Sequence, residues 1–194
     1  MNRYYTKNVA QRHANNKKQK MINPPSVLIP ESEIQQRVRE LGAQLSVDYT
    51  GEELVLLGVL RGAVVFYADL ARAIALPLRF EFLQLASYYD DMEPAQVQLI
   101  RGGSDYLQDR HILIVEDIVD TGHTLNFLIE HLLLFNPKTV KVCTLLDKPS
   151  RREVSVNVDY FGFEIPNAFV VGYGLDYAQK YRNLPYIGVL EPAD

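Results

Sequence analysis

Apolar and polar positions fall along the chain in blocks of two kinds. Apolar runs, unbroken in LVLLGVL at 54–60, nearly continuous in HILIV at 111–115 and predominant in VKVCTLL at 140–146, are rich in aliphatic and β-branched residues. Such runs suit strands covered on both faces, as in a parallel sheet. Between them, apolar residues recur at helical spacing: Ile34, Val38, Leu41 and Leu45; then Phe66, Leu70, Ala73 and Ile74; then Leu125, Leu128, Ile129 and Leu132. Ser32-Glu33-Ile34-Gln35 predicts a capping box at the first of these helices, and Pro137 stops the last. Residues 78–85 read as a further strand, followed by a polar, proline-ended stretch and a short strand pattern at 97–100. Strands alternating with helices predict an α/β fold with a doubly wound, mostly parallel sheet and ligand residues at the strand carboxyl ends. The hairpin at 78–100 is expected to carry a flexible loop, and the strands near 159–173 a small hood.

With 194 residues, 47% of them hydrophobic, the chain is long enough for one well-buried core and too short to make two full domains the natural expectation. Residues 1–25 carry Arg3, Lys7, Arg12, Lys17, Lys18 and Lys20 with no acidic residue, and are expected to be a basic, solvated tail. Residues 26–194 form the single domain. A formal charge of −4 argues against a nucleic-acid binder, which needs a basic surface. The lone Cys143 lies in an apolar strand pattern and reads as a small buried hydrophobe. No apolar run reaches the roughly 20 residues that span a bilayer. A reducing, cytoplasmic setting is expected.

Chemistry concentrates behind the strand at 111–115. Glu116, Asp117 and Asp120 follow it, then the turn Thr121-Gly122-His123-Thr124 and a helix. Backbone N–H groups at a helix start, reinforced by two threonine hydroxyls, favour a phosphate monoester. Carboxylates beside a phosphate site make sense if they bind sugar hydroxyls or a divalent metal. The competing reading is a solvated strand end with a capping aspartate. Leu60 likewise runs into Arg61-Gly62-Ala63 before a helix. There the glycine permits close backbone approach and the arginine can meet pyrophosphate oxygens, unless both simply form a solvated turn.

VEDIVDTGHTL resembles the phosphoribosyl-pyrophosphate signature of the type I phosphoribosyltransferases. Flanking stretches narrow the resemblance to the hypoxanthine-guanine phosphoribosyltransferase family, over residues 54–190. It implies phosphoribosyl binding by Glu116, Asp117, Asp120, Thr121, Gly122, His123 and Thr124, with Asp120 as the catalytic base. His123 stands where the family often has lysine. Arg61, Gly62 and Arg182 match pyrophosphate-binding positions, and the resemblance places a non-proline cis peptide between Leu60 and Arg61. Ser87-Tyr88 matches the pair on a mobile loop that closes over the site. Lys148, Phe169, Val170 and Asp176 match purine-binding positions: Lys148 reaches the exocyclic oxygen, Phe169 stacks, Val170 pairs through its backbone, and Asp176 lies near the metal or the base edge. Glu116, Asp117 and Asp176 would serve a Mg2+ ion. Asn167-Ala168 is less typical of the family just before the stacking ring. Ser150-Arg151-Arg152-Glu153 reads as a solvated charged loop.

The activity implied is transfer of a 5-phosphoribosyl group from its pyrophosphate to N9 of hypoxanthine or guanine, giving IMP or GMP and releasing pyrophosphate in purine salvage. A regulatory protein that keeps the fold while binding nucleic acid is the alternative. It would be expected to carry a basic face or an added domain. An orotate- or adenine-specific enzyme should lack the FVVGYGLDY segment present at 169–177. Leftover apolar surface suggests a homodimer or homotetramer.

Overall fold

A computed structural model describes residues 25–86, 96–99 and 107–190. The elements run β1 (Ser26–Ile29), α1 (Glu31–Asp48), β2 (Leu54–Leu60), α2 (Val64–Ala73), β3 (Leu78–Ala86), β4 (Gln96–Leu99), β5 (His111–Val119), α3 (His123–Leu133), β6 (Thr139–Asp147), β7 (Tyr160–Glu164), β8 (Val170–Val171) and β9 (Ile187–Val189). The basic tail assigned to residues 1–25 lies almost wholly outside the described residues.

The main sheet has six strands in the order β4-β3-β2-β5-β6-β7. Strands β3, β2, β5, β6 and β7 pair in parallel, and β4 closes one edge antiparallel to β3. The alternation along each strand divides the core in two. Leu54 and Leu56 of β2, with Leu113 and Val115 of β5, pack against Ile34, Val38, Leu41 and Leu45 of α1 and Phe66 and Leu70 of α2. The intervening Val55, Leu57, Ile112 and Ile114 face Leu125, Leu128 and Leu132 of α3. Both faces are thus covered, which is why these strands read as continuous apolar runs rather than alternating ones. Tyr67 and Ala71 join the buried face of α2 beyond the residues that helical spacing singled out.

The first helix begins at Glu31, with Pro30 as its N-cap and no side-chain cap bond, so the capping box expected at Ser32 does not form. Pro30 is held extended, and its carbonyl already accepts from Glu33 and Ile34, which places Ser32 inside the first turn.

The expected hood is also built differently. Strand β7 joins the main sheet beside β6, and α1 holds that edge: Arg37 donates from Nε to Gly162 O at 3.1 Å and from Nη2 to Phe161 O at 2.8 Å. A separate three-stranded antiparallel sheet, β1-β9-β8, instead combines residues from the two ends of the described chain. Strand β2 has β3 on one side and β5 on the other. The chain therefore reverses its order of strand addition between β2 and β5, and the crevice outside their carboxyl ends is where an open α/β sheet places a ligand.

Candidate active site

Two strand-turn-helix units meet at that crevice. Strand β5 runs on through Glu116 and Asp117 to Val119, so the carboxylates emerge from the strand itself rather than from a loop after it. Glu116 is 8% exposed. Burial, with the neighbouring Asp117 charge, pushes its carboxyl pKa well above the ordinary value. Asp117 is pushed up to about 6, chiefly by burial and further by Asp176, against the pull of nearby Arg182. Two acids placed this way carry charge at a cost that a cation would relieve.

Behind them Gly122 is the N-cap of α3, with φ 92° and no side-chain cap bond. A left-handed backbone suits glycine, and a Cβ here would stand 2.7 Å from Val154 O. Asp120 is consequently not a helix cap. Its Oδ1 accepts from Arg151 Nε at 3.3 Å, and its Oδ2 lies 3.7 Å from Lys148 Nζ. Among the described residues no backbone carbonyl accepts from the N–H groups of Thr121, Gly122, His123 or Thr124. Thr121, Gly122 and Thr124 line a cavity of about 140 Å³ together with Glu116 and Asp120 among others. The exposed His123 ring turns elsewhere, with Nε2 3.1 Å from Glu153 Oε2, which leaves its backbone as its part in the turn.

The second unit is the turn after β2. The Leu60-Arg61 peptide is cis, at the bond expected from the resemblance, and Arg61 is exposed. Gly62 packs so closely on β5 that a Cβ would overlap Asp117 Oδ2, and its own carbonyl occupies the space a Cβ on Gly174 would need. Gly174 has φ 105°. Arg182 secures this stack: Nη1 donates to Gly174 O at 2.7 Å and Nη2 reaches Asp176 Oδ1 at 2.7 Å. Asp176 Oδ2 accepts from Gln179 N at 2.8 Å. Among the described residues no group of three acidic, histidine or cysteine side chains is placed to hold a metal, so Asp176 does not close a cluster with Glu116 and Asp117. Magnesium commonly takes one or two carboxylates and completes its shell with water and substrate phosphates. Glu116 and Asp117 fit that pattern.

A third set of residues stands beside Asp120. Lys148 is only 6% exposed, and its Nζ donates to Ala168 O at 2.8 Å. Phe169 is 54% exposed, its ring meeting the Tyr177 ring edge to face at 5.6 Å. Val170 pairs with Val189, and Leu190 N donates to Phe169 O at 3.0 Å. That bond marks Val170-Val189 as a pair whose own N–H and C=O groups point away from each other. Since β8 is an edge strand of its sheet, the Val170 peptide groups face outward next to the Phe169 ring. Ser87 and Tyr88 lie outside the described residues.

The chain matches the phosphoribosyl transferase domain over residues 30–178. It belongs to the phosphoribosyltransferase family. It is 48% identical over 168 residues to the hypoxanthine-guanine phosphoribosyltransferase of Bacillus subtilis, covering 86% of this chain and 93% of that protein. Identity to the hypoxanthine phosphoribosyltransferase of Salmonella typhimurium is 48% over 171 residues, 87% of this chain and 96% of that one. A crystal structure of a hypoxanthine phosphoribosyltransferase from Staphylococcus aureus superposes with a TM-score of 0.79 at 44% identity, covering 86% of this chain and 91% of that one.

In this phosphoribosyltransferase one residue read as solvated is not. The Arg152 side chain is 16% exposed; it pairs with Asp147 Oδ1, and its Nη1 donates to Asp120 O at 2.7 Å. No local signal separates it from its exposed neighbour Arg151 in an otherwise charged run.

Proposed function

We propose that this phosphoribosyltransferase transfers the 5-phosphoribosyl group of phosphoribosyl pyrophosphate to N9 of hypoxanthine or guanine, in purine salvage. One observation carries the reading: Asp120 opens a turn whose N–H donors have no backbone acceptor among the described residues, and its carboxylate lies 3.7 Å from the buried Lys148 ammonium, which is itself bonded to Ala168 O next to the exposed Phe169. The turn at Thr121–Thr124 would hold the 5-phosphate, with Glu116 and Asp117 on the ribose hydroxyls. Arg61, Gly62 and Arg182 would meet the pyrophosphate.

On the base side, Lys148 would donate to the purine's exocyclic oxygen, Phe169 would stack on the ring, and the Val170 backbone would pair with its edge. A donor at that place suits an oxopurine, because an exocyclic amine, itself a donor, would offer the ammonium no acceptor. In the transfer the C1′ bond to pyrophosphate breaks as the C1′–N9 bond forms, and Asp120 takes the proton from N7 so that no cationic purine accumulates. Glu116 and Asp117 would hold a magnesium ion, which would supply neutralisation of the leaving group's charge. The enzyme is read as cytoplasmic, in keeping with a buried, free Cys143. No helix among the described residues is long and apolar enough to cross a membrane. It is read as a homodimer or homotetramer, in keeping with exposed apolar side chains such as Phe80 at 54% and Leu134 at 73%.

Steady-state rates with phosphoribosyl pyrophosphate and each of hypoxanthine, guanine and xanthine, at fixed magnesium, test the proposal. Formation of IMP or GMP with release of pyrophosphate is expected. No nucleotide product from any oxopurine would overturn it.

A further inference from the structure

We infer that Arg152 is a positioning residue that aims the phosphate-binding peptides of the Thr121–Gly122 turn and ties them to the strand end bearing Lys148. The inference rests on the phosphoribosyl reading of that turn.

The segment after β6 is fastened to the turn after β5 at several consecutive points. Lys148 N donates to Val119 O at 3.0 Å, Arg152 Nη1 to Asp120 O at 2.7 Å, and both Glu153 N, at 2.9 Å, and Val154 N, at 3.1 Å, to Thr121 O. Each bonded carbonyl belongs to a trans peptide whose N–H, on the next residue, points the opposite way. With the carbonyls of Asp120 and Thr121 held toward the 152–154 segment, the N–H groups of Thr121 and Gly122 are turned away from it. Successive N–H groups arranged this way around a left-handed glycine form an anion-binding concavity. Both residues line the 140 Å³ cavity and neither N–H has a backbone acceptor among the described residues.

Of the two orienting contacts, the one at Asp120 O depends on a side chain. Arg152 is suited to it because its other guanidinium nitrogen pairs with Asp147, itself 15% exposed, so that the fork is fixed at both ends. Asp147 immediately precedes Lys148. One guanidinium, anchored at the strand end, thus aims the peptide that would bind phosphate, while Lys148 keeps its own bonds to Val119 O and Ala168 O. Loss of it frees the Asp120–Thr121 peptide to rotate, and the Asp120 carboxylate with it. A change at Arg152 should therefore weaken phosphate binding and slow the chemical step, while leaving the Phe169 and Val170 contacts in place.

The test compares the wild type with Arg152→Ala and Arg152→Lys. Calorimetric binding of ribose 5-phosphate, kcat, and separate KM values for phosphoribosyl pyrophosphate and hypoxanthine are measured. Arg152→Ala is expected to weaken ribose 5-phosphate binding and raise the phosphoribosyl-pyrophosphate KM by about 10- to 100-fold, the usual scale for a lost charged hydrogen bond. The hypoxanthine KM should change little. Arg152→Lys, which keeps the charge but not the fork, should recover part of the loss. If Arg152→Ala does not fold, the lysine variant alone decides, through the same split between the two KM values. Equal increases in both KM values, or a lowered melting temperature with unchanged kinetics, would overturn the inference. Wild-type protein that fails to bind ribose 5-phosphate sinks the phosphate reading of the turn itself; wild-type binding that both variants retain in full sinks only the role of Arg152.

Discussion

The proposed phosphate side and the proposed base side of this crevice are built on different plans. The proposed phosphate side is local: Glu116 to Thr124 is one strand end, one turn and one helix start, and the groups it offers include backbone N–H donors with no backbone acceptor among the described residues. The base side is assembled from afar. Lys148 comes from the end of β6, while Ala168 and Phe169 lead into Val170 on a second sheet whose other strands are Ser26–Ile29 and Ile187–Val189. The difference follows from the ligands. A phosphate is recognised by charge and short-range donors, which one turn can supply. A flat, oxo-bearing ring needs a stacking face, an edge pair and a directed donor at once, and a single segment cannot present all three.

The widest break between the two sides should come from removing metal. Exhaustive chelation is expected to abolish transfer while hypoxanthine still quenches or shifts the signal of the base side, because the metal would serve only the pyrophosphate half. Full activity in chelator would contradict the roles given to Glu116 and Asp117.

Asp120 lies where the two sides meet. Asp120→Asn should lower kcat by roughly 10²–10⁴-fold with phosphoribosyl-pyrophosphate binding largely intact, since the amide keeps the shape and loses the base. An undiminished single-turnover rate in the stable variant would remove Asp120 from the chemistry.

Phe169→Ala sharpens the separation. A ring 54% exposed contributes little to the core, so the fold should stand, while base affinity falls by about 1–3 kcal/mol, the range for stacking on an aromatic ring. The affinity for phosphoribosyl pyrophosphate should barely move. Equal weakening of both ligands, or an unfolded variant, would show that Phe169 belongs to the scaffold.

The smallest effect is on stability. Asp117 has a folded pKa raised to about 6 from 3.8, chiefly by burial, so the native state binds protons more readily than the unfolded one between those values. Native stability from this group therefore falls as pH rises from 3.8 to 6 and stays lower above. Asp117→Asn, which imitates the protonated form, should raise the melting temperature of ligand-free protein by a few degrees at pH 7.5 and lose that advantage near pH 4. A variant less stable than wild type at pH 7.5 would mean that Arg182 compensates the charge fully.

How much of this was legible in advance depends on how far a signal reaches along the chain. The runs at 54–60 and 140–146 and the stripe Leu125, Leu128, Leu132 became strands and a helix because their burial on one or two faces is written directly into their periodicity. The turn at 120–124 that leads from β5 into α3 was legible for the same reason, being contiguous. The resemblance of FVVGYGLDY to a known segment located Phe169 and Val170, but their composition alone described only a core strand. The capping box at Ser32 failed because Pro30 had already fixed the entry of the helix, and of the strands expected in the hood β8 lies in the small sheet while β7 found a parallel partner in β6.

The sequence by itself determined the alternation of buried strands and helices, the acidic strand end of β5 and its glycine turn, since each depends on residues within one or two turns of chain. Only the tertiary structure decided that residues 26–29 and 187–189 build the platform for Phe169, that Gly62 must lack a side chain to admit Asp117, and that Arg152 rather than Arg151 is buried against Asp120 O. Those outcomes turn on which distant surfaces come into contact, and a side chain's own identity carries no record of the backbone it will meet.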